Sequence, residues 1–521
     1  MSYDKAVELT AKLTLEEKVA FLTGHDFWNT VQNDKIGLRK MLLSDGPAGV
    51  RGEFWDERDN SLNLPSGTAL GSSWSVQLAK EYGEILAKEA KRKGVDVVLG
   101  PTINLHRSPL GGRHFECLSE DAMLTGALAA SYTKGMQSLG KGACPKHYVA
   151  NDFETDRYTV DVRVDERTLN ELYLRPFEDA VVEGGAWTIM SSYNQINGTT
   201  ATEHQLLQDP LRSKWNFDGV VISDWTAVRS LNSAKAEQDL VMPGPVGPWG
   251  EALVAAVRNG EIDEATIDRK VARLLVLAQR VGAVGENGKT PATPPRHNDI
   301  AAEGVAFARR AASEGSVLLK NDGILPADLK KVGKIALIGH NADSARTQGG
   351  GSATVMPKSV VSPLQALKEL VGDELSNSLG AVVQVGIADL PLETLTNPVT
   401  GKPGIRVEFI GEKGEVLLSE DRNASNVLWL GANVPLPVSS RLHVRATFVP
   451  TETEERHFGF ASAQPVTLKL NGEVFIQDQP KTESTDPFVV TMDTPYLSKS
   501  RKFTAGESIE VDIDVDLAGR E

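Results

Sequence analysis

Residues 220–225, Val-Val-Ile-Ser-Asp-Trp, carry the pattern that says most about the fold of this chain. The apolar run 220–222 follows the turn-like Phe217-Asp218-Gly219 and is typical of a fully buried parallel strand. Asp224 follows that run after one intervening residue, Ser223. In α/β proteins the carboxyl ends of parallel strands hold the functional side chains. We therefore interpret Asp224 as a candidate nucleophile, with capping of the following helix as the alternative role.

Similar short apolar runs alternate with amphipathic helical stretches as far as about residue 285. A capping box at Thr14-Leu15-Glu16-Glu17 opens one of the first helices. Such alternation predicts α/β structure with a parallel sheet, and a length of roughly 250 residues is typical of a (β/α)8 TIM-like barrel. A doubly wound open sheet is the alternative. The apolar runs lie at residues 41–43, 95–99, 142–145, 187–190, 220–222 and 240–242.

The rest of the chain divides into three further parts. Residues 286–300 are rich in proline and have no apolar pattern, so they are interpreted as a linker. Residues 301–385 are expected to form the first part of an α/β sandwich domain, with strands at 317–319 and 335–338. Residues 386–521 contain apolar residues that alternate with period two, which predicts a β-sandwich module.

Composition excludes several functional classes. The chain of 521 residues has a net charge of −15, which argues against a nucleic-acid partner, and it has no apolar run long enough to cross a membrane. Two cysteines give no disulfide framework, and no metal or cofactor motif is present. The N-terminus lacks the apolar core of a secretory signal, so a cytoplasmic location is the default expectation.

Polar side chains follow several of the other predicted strands. Asp45 and Arg51 can clamp neighbouring hydroxyl groups, and Lys146-His147 places two strong donors at the end of a strand. Arg113 lies in a charge-dense segment beside two glycines. Each could instead be structural, in a loop salt bridge or a buried core. Their recurrence at strand ends favours a polar binding pocket around Asp224, to which Tyr193 could donate a hydrogen bond.

At this point the motifs are recognisable as a set. Residues 14–285 resemble the barrel domain of family three glycoside hydrolases, in the β-glucosidase branch. The resemblance extends through Leu318-Leu319-Lys320-Asn321 and Gly349-Gly350-Gly351-Ser352 into the second α/β domain of that family. The tail is similar to a protective-antigen-like β module inserted in that domain. The motifs that carry the resemblance are Asp45-Gly46-Pro47, Gly49-Val50-Arg51, Gly112-Arg113, Phe115-Glu116, Ser119-Glu120-Asp121, Lys146-His147, Met190-Ser191-Ser192-Tyr193-Asn194 and Ser223-Asp224-Trp225.

The resemblance implies a retaining, exo-acting β-glucosidase that needs no cofactor. Asp224 would be the nucleophile that forms a covalent glycosyl-enzyme on terminal β-D-glucosyl residues. Met190 and Tyr193 would line the pocket beneath it, and Trp225 would lie near the leaving group. A β-xylosidase or α-arabinosidase of the same family and a non-catalytic sugar-binding protein are the alternatives. The hydroxyls of the terminal sugar would be held by Asp45, Arg51, Arg113, Lys146 and His147.

The chain departs from the family pattern at the general acid/base. In this branch the general acid/base is a glutamate of the second domain, beyond the inserted module, and the chain ends at Glu521. We therefore expect a C-terminal segment of the same protein to complete the second domain and to supply the acid/base. The N-acetylglucosamine branch uses a Pro-Gly-His-Gly run instead, where this chain has Tyr148-Val149-Ala150-Asn151. Whether the chain forms a homo-oligomer is left open.

Overall fold

The computed structural model describes residues 2–285, 289–294, 300–329, 331–384, 386–429, 434–481, 490 and 494–518. Most of the predicted linker, residues 286–300, lies outside the described residues. Within the described parts of the chain, no helix is both long and apolar enough to cross a membrane.

The N-terminal domain alternates short strands with helices, as predicted. Its strands are β1 (Leu43–Asp45), β2 (Val97–Leu99), β3 (Gly142–Ala143), β4 (Asp161–Val162), β5 (Thr188–Ser191), β6 (Gln195–Ile196), β7 (Thr199–Thr200) and β8 (Val220–Ser223). Its helices are α1 (Tyr3–Thr10), α2 (Leu15–Phe21), α3 (Gly67–Ser72), α4 (Val76–Lys93), α5 (Ala122–Ser138), α6 (Glu166–Thr168), α7 (Arg175–Val182), α8 (Asn232–Lys235), α9 (Gly250–Arg258) and α10 (Glu264–Arg280).

Local sequence signals set the helix ends. The capping box that opens α2 forms as predicted, with Thr14 Oγ1 accepting from Glu17 N at 3.2 Å and Glu17 Oε2 accepting from Thr14 N at 2.8 Å. Ser75 caps the start of α4. Gly94 ends α4 with a φ of +73°, a left-handed conformation that glycine adopts at little cost.

The strands that carry polar residues at their ends are parallel. Strands β1, β2 and β3 form one parallel sheet, and β5 pairs with β8 so that Ser191 lies opposite Ser223. Both β5 and β8 are buried along their full length. The predicted α/β class and parallel pairing are confirmed, whereas an eight-stranded barrel stays a prediction because the named strands pair as separate sheets. Single parallel bridges join Thr102 to Lys146, Tyr148 to Ser191, Ile222 to Leu240 and Thr23 to Val241.

Residues 300–384 contain one small parallel sheet with helices around it. The elements are α11 (Ala301–Glu314), β9 (Ile335–Ile338), α12 (His340–Asp343), α13 (Pro363–Val371) and β10 (Leu375–Ser378). No residue of β9 or β10 is buried. The strand predicted at 317–319 is wrong, because that segment is exposed and has no neighbouring strand to pair with among the described residues.

The tail forms the β-sandwich that its period-two pattern predicts. Its strands are β11 (Leu395–Thr396), β12 (Ile405–Ile410), β13 (Val416–Arg422), β14 (Arg441–Phe448), β15 (Glu454–Ala461), β16 (Val466–Leu470), β17 (Glu473–Asp478), β18 (Tyr496–Phe503) and β19 (Ile509–Asp516). One antiparallel sheet has the order β13-β12-β14-β19-β16-β17, with β11 on β14, and β15 pairs with β18. Val407, Phe448 and Phe503 are among the residues buried in its core.

Candidate active site

Two carboxylates lie at the carboxyl ends of parallel strands. Asp45 is the last residue of β1, and Asp224 directly follows β8. The backbone N–H of Asp224 donates to Ser191 O at 3.0 Å, which fixes the exit of β8 against that of β5. Lys146 Nζ lies 3.7 Å from Asp45 Oδ1, and its positive charge also acts on Asp224, so the two acids belong to one site.

The carboxylate of Asp224 is buried, and only one of its two oxygens accepts a hydrogen bond within the described residues. Its Oδ1 accepts from Trp225 N at 2.8 Å. Its Oδ2 has no hydrogen-bond partner among the described residues, and His147 Nε2 lies 3.6 Å away. Burial raises the pKa of Asp224 above its ordinary value, although the cations of Arg113, Lys146 and Arg157 act to lower it. A buried carboxylate oxygen with no hydrogen bond is available for attack on a bound electrophile.

His147 is neutral, and its neighbours settle which ring nitrogen holds the proton. Burial lowers the pKa of His147 well below its ordinary value, and the positive charges of Arg113 and Lys146 lower it further. The Oδ1 atom of Asn104 accepts from His147 N at 2.8 Å and lies 3.1 Å from His147 Nδ1. Because this oxygen can only accept, Nδ1 is the donor and Nε2 is the acceptor. Nε2 therefore presents a lone pair beside Asp224.

Asp45 is held from two sides by cations. Its Oδ2 accepts from Arg51 Nη2 at 2.7 Å, and its Oδ1 lies 3.7 Å from Lys146 Nζ. The side chains of Arg51 and Lys146 are each only 2% exposed. The remaining lone pairs of its carboxylate oxygens can accept hydrogen bonds from a polyol.

Arg51 is itself fixed by aromatic rings and by the second α/β unit. Its guanidinium lies 4.8 Å from the ring centre of Trp28 and 4.5 Å from that of Trp55. Its Nη1 donates to Ser352 O at 2.7 Å. The glycine-rich loop 349–352 approaches the N-terminal domain closely, since a Cβ on Gly349 would lie 2.2 Å from the ring of Phe115.

A second group of charges surrounds Arg113. Its Nε donates to Glu116 Oε1 at 2.5 Å, and its Nη1 lies 3.5 Å from Glu154 Oε1. Glu154 Oε2 in turn accepts from Arg157 Nη1 at 3.0 Å. Arg157 lies 5.0 Å from the ring centre of Tyr193. Three positive groups near Asp224 (Arg113, Lys146 and Arg157) thus oppose the cost of burying its negative charge.

The remaining predicted residues lie around this centre. Burial raises the pKa of Tyr193 well above its ordinary value, and the charge of Asp224 adds to that shift, so the phenol stays a donor. Met190 is buried in β5 opposite Ile222, the residue two positions before Asp224. Trp225 is 4% exposed, donates through Nε1 to Phe27 O at 2.9 Å and packs 5.2 Å from the ring of Trp28.

Four contributing residues escaped the sequence analysis. Asn104 and Arg157 lie in irregular loops with no periodic signal, and Trp28 and Trp55 precede or follow a strand at a distance along the chain. The only available signal for Asn104 was a polar residue shortly after the end of β2. Their roles depend on contacts between loops, which a single sequence does not reveal.

In the part of the chain that the structure describes, the donor atoms around Asp224 are not grouped closely enough to bind a metal ion. Among the described residues, one group has donor atoms close enough to bind a metal ion, and it consists of His443, Asp512 and Asp514 on the β-sandwich. His443 Nε2 lies 3.0 Å from Asp512 Oδ2, and Arg441 Nε lies 3.4 Å from Asp514 Oδ1. Each acid therefore already has a positively charged or hydrogen-bonding neighbour.

Comparison with known proteins agrees with this geometry. Residues 22–277 match the N-terminal domain of glycosyl hydrolase family 3, and residues 316–500 match the C-terminal domain of the same family. The chain belongs to glycosyl hydrolase family 3. The match at 316–500 does not support the expectation that the chain stops before the C-terminal half of the second domain.

Several relatives carry the name β-glucosidase. The chain is 40% identical over 482 residues to a β-glucosidase of Rhizobium radiobacter, an alignment that covers 90% of this chain and 57% of the relative. It is 35% identical to β-glucosidase B of Emericella nidulans, with 96% of this chain and 60% of the relative covered. The chain thus spans about three fifths of the length of these curated relatives.

Solved structures of the family have the same fold. The β-glucosidase of Kluyveromyces marxianus, in complex with glucose, is 30% identical with a TM-score of 0.88, and the match covers 98% of this chain and 63% of that one. β-Glucosidase 3B of Thermotoga neapolitana, in complex with α-D-glucose, is 34% identical with a TM-score of 0.66 over 72% of this chain and 55% of that one.

Proposed function

We propose that this family 3 glycoside hydrolase is a retaining, exo-acting β-glucosidase with Asp224 as its nucleophile. The observation that carries the proposal is the buried Oδ2 of Asp224, which has no hydrogen bond among the described residues and lies beside His147. Attack by this oxygen on the anomeric carbon breaks the glycosidic bond, releases the aglycone and forms a glycosyl-enzyme, which water then hydrolyses with net retention. The β-glucosidase names of the relatives support glucose as the glycone.

The residues around Asp224 supply complementary groups for a terminal sugar. Asp45 and His147 Nε2 offer acceptors, whereas Lys146 and Arg113 offer charged donors. Sugar hydroxyls both donate and accept, so this mixture suits a polyol better than an anion or an apolar ligand. The raised pKa of Asp224 makes its ionised form more basic than an ordinary aspartate, which favours nucleophilic attack.

The general acid/base is proposed to come from outside the residues that surround Asp224. Among the described residues, the charged groups around Asp224 include the acids Asp45, Glu116 and Glu154, and each of these has a cationic partner within 3.7 Å. Because these three carboxylates are engaged in ion pairs, none of them is proposed as the acid that protonates the leaving group. A retaining enzyme needs a second carboxyl about 5–5.5 Å from the nucleophile.

A further segment of the same protein is proposed as the source of that carboxyl. The support is the exposed surface of residues 300–384, where Ile338 is 69% exposed, Leu319 92% and Leu370 66%. A two-stranded sheet needs more strands or helices over it for stability. Such elements would cover these apolar side chains and bring an acid to the strand ends that hold Asp224.

The finer architecture is also a proposal. A (β/α)8 barrel for residues 1–285 is supported by the parallel bridges that continue from β8 through Leu240 and Val241 to Thr23. The backbone N–H of Leu43 in β1 donates to Trp28 O, which links the other edge of the sheet to the same segment. The protective-antigen-like identity of the sandwich at 386–521 is supported by its position largely inside the C-terminal domain match.

The proposal is tested with aryl glycosides of graded leaving-group ability. A 2,4-dinitrophenyl β-glucoside needs no protonation of its leaving group, whereas p-nitrophenyl β-glucoside needs more assistance. If the acid/base is lacking, the chain should turn over the dinitrophenyl substrate, and azide should accelerate turnover and yield a β-glucosyl azide. Asp224→Asn should remove both activities. Faster cleavage of β-xylosides or α-arabinosides than of β-glucosides would change the glycone assignment. Glucose binding without any cleavage would indicate a sugar-binding protein.

A further inference from the structure

The loop that follows Arg51 connects the candidate glycone site to the β-sandwich. Residues 52–60 contain Trp55, whose ring lies against the Arg51 guanidinium, and Arg51 holds Asp45 at 2.7 Å. At its two ends the loop is tied to α4, because Lys93 Nζ donates to Arg51 O at 2.8 Å and to Asp59 O at 2.7 Å. Displacement of the middle of this loop would therefore also move Trp55 and Arg51.

Residues at the end of β13 bind the middle of that loop through a salt bridge and hydrogen bonds. Arg422 donates from Nη2 to Glu57 Oε2 at 2.6 Å and from Nε to both carboxylate oxygens at 3.1 Å. Asn423 N adds a hydrogen bond to Glu57 Oε1 at 3.0 Å. The side chain of Arg422 is 2% exposed and that of Glu57 is 20% exposed. A forked, nearly buried arginine–carboxylate pair fixes both distance and orientation.

A second, more exposed pair supports the first. Arg58 Nη2 lies 2.6 Å from Glu420 Oε1, and Glu420 Oε2 accepts from Trp429 Nε1 at 2.9 Å. Arg422 Nη1 also contacts Glu420 Oε2 at 3.2 Å. Arg58 is 46% exposed, so solvent screens its pair more than that of Arg422. The Arg422–Glu57 pair is therefore the main contact to perturb.

We propose that Arg422 and Glu57 are positioning residues through which the β-sandwich holds residues 53–58 of the loop 52–60 in place. The same contact keeps Trp55, Arg51 and Asp45 in position for sugar binding. The inference rests on the proposed glycosidase function for its kinetic consequence. Asp224 is not part of this chain of contacts, so the chemical step is expected to proceed with its rate nearly unchanged. The consequence of releasing the loop is weaker binding of the glycone.

The kinetic test compares Arg422→Gln and Glu57→Gln with wild type on an activated aryl β-glucoside. Each should raise KM about tenfold or more with kcat nearly unchanged, since small misplacements of a binding group weaken substrate contacts strongly. The double variant should resemble either single variant, because the two side chains act through one contact. Arg422→Lys should give an intermediate KM, because lysine keeps the charge but not the fork.

Arg406→Gln is the matched control. Arg406 pairs with Glu408 and Asp421 inside the β-sandwich, at 3.3 Å and 3.1 Å, so its loss weakens the sandwich without touching the loop 52–60. Its KM should remain that of wild type. An equal rise of KM in Arg406→Gln would show a general loss of folding and would overturn the positioning role.

Hydrogen exchange separates this inference from the proposed function. Backbone amides of residues 53–58 should exchange faster in Arg422→Gln and Glu57→Gln than in wild type and Arg406→Gln. Unchanged exchange in both variants would overturn the inference, and so would faster exchange with unchanged KM. If the wild-type chain cleaves no glycoside, the proposed function fails. The hydrogen-exchange result alone then tests whether Arg422 and Glu57 keep the loop in place.

Discussion

Two parallel strand pairs in this molecule have the same hydrogen-bonding pattern and opposite surroundings. Strands β5 and β8 are buried at every position, whereas β9 and β10 have no buried residue. The first pair ends in Ser191 and Ser223, directly before the groups that form the candidate site. The difference teaches that a parallel ladder alone does not make a rigid site. Burial on both faces of β5 and β8 is what holds Asp224 in one position.

The largest expected effect is on catalysis at the end of the buried pair. Asp224→Asn removes the proposed nucleophile while keeping the size of the side chain, so kcat should fall by about 10⁴-fold or more. Steady-state assay of an activated aryl β-glucoside measures it. Asp343→Asn, at an exposed acid of α12, is the control and should retain activity. Substantial turnover by Asp224→Asn would contradict the role of the buried pair.

Next in size is the stability difference between the two strand pairs. Ile222→Ala should lower the free energy of unfolding by about 2–5 kcal/mol, because Ile222 is completely buried. Ile338→Ala should change it by no more than about 0.5 kcal/mol, because Ile338 is 69% exposed. Urea denaturation measures both values. A similar cost at both positions would mean that other elements cover β9 in solution.

The sequence predicted the buried pair better than the exposed one, for a physical reason. The run at 220–222 is apolar, it follows a turn, and an acid stands two residues after it, so burial and strand end are both visible locally. At 317–319 the run Val-Leu-Leu is equally apolar, yet it forms no strand. A strand needs a hydrogen-bonded neighbour, and apolar composition does not say whether one lies beside it.

For the candidate site, the sequence likewise predicted individual residues but not the contacts between them. Asp45, Lys146 and His147 follow strand ends, and strand ends are recognisable from sequence. The tautomer of His147 depends on Asn104, a contact between two irregular loops. The fixing of Arg51 depends on Trp28, Trp55 and Ser352, which come from distant parts of the chain. Such contacts follow from the assembled fold and have no local signature.

Substitution of a buried cation tests the pocket beside β5 and β8. Lys146→Met should lower kcat/KM about tenfold to a hundredfold, because a charged hydrogen bond contributes roughly 1.5–3 kcal/mol. Lys331→Met is the matched change in the second unit, where Lys331 is 84% exposed, and it should have no effect. Substrate-saturation kinetics on the same aryl glucoside compare the two. Equal losses of kcat/KM in the two variants would show that the buried pocket around Lys146 matters no more for activity than the exposed surface around Lys331.

The smallest expected effect is a pH-dependent change in stability near the site. Burial raises the pKa of Asp152 to about 6, and its Oδ1 accepts from Leu105 N at 3.0 Å. The folded state then binds more protons than the unfolded state, so this residue lowers stability as pH rises from about 4 to about 6. Asp152→Asn should therefore raise the melting temperature at pH 7, with the gain disappearing below about pH 4.

Thermal unfolding followed by circular dichroism across this pH range measures the effect. The exposed Asp343→Asn should show no such pH-dependent gain. A gain for Asp152→Asn that persists undiminished at low pH would mean that the amide stabilises the loop by another route than the removal of a buried charge.

The central claim is that Asp224 forms a covalent bond to the sugar. A 2,4-dinitrophenyl 2-deoxy-2-fluoro-β-glucoside tests it most directly, because its leaving group needs no proton and the fluorine slows hydrolysis of the intermediate. Mass spectrometry of the intact chain should show the addition of one fluoroglucosyl group. Peptide mapping should place that group on Asp224, and Asp224→Asn should remain unlabelled. Labelling at another residue, or equal labelling of Asp224→Asn, would contradict the account.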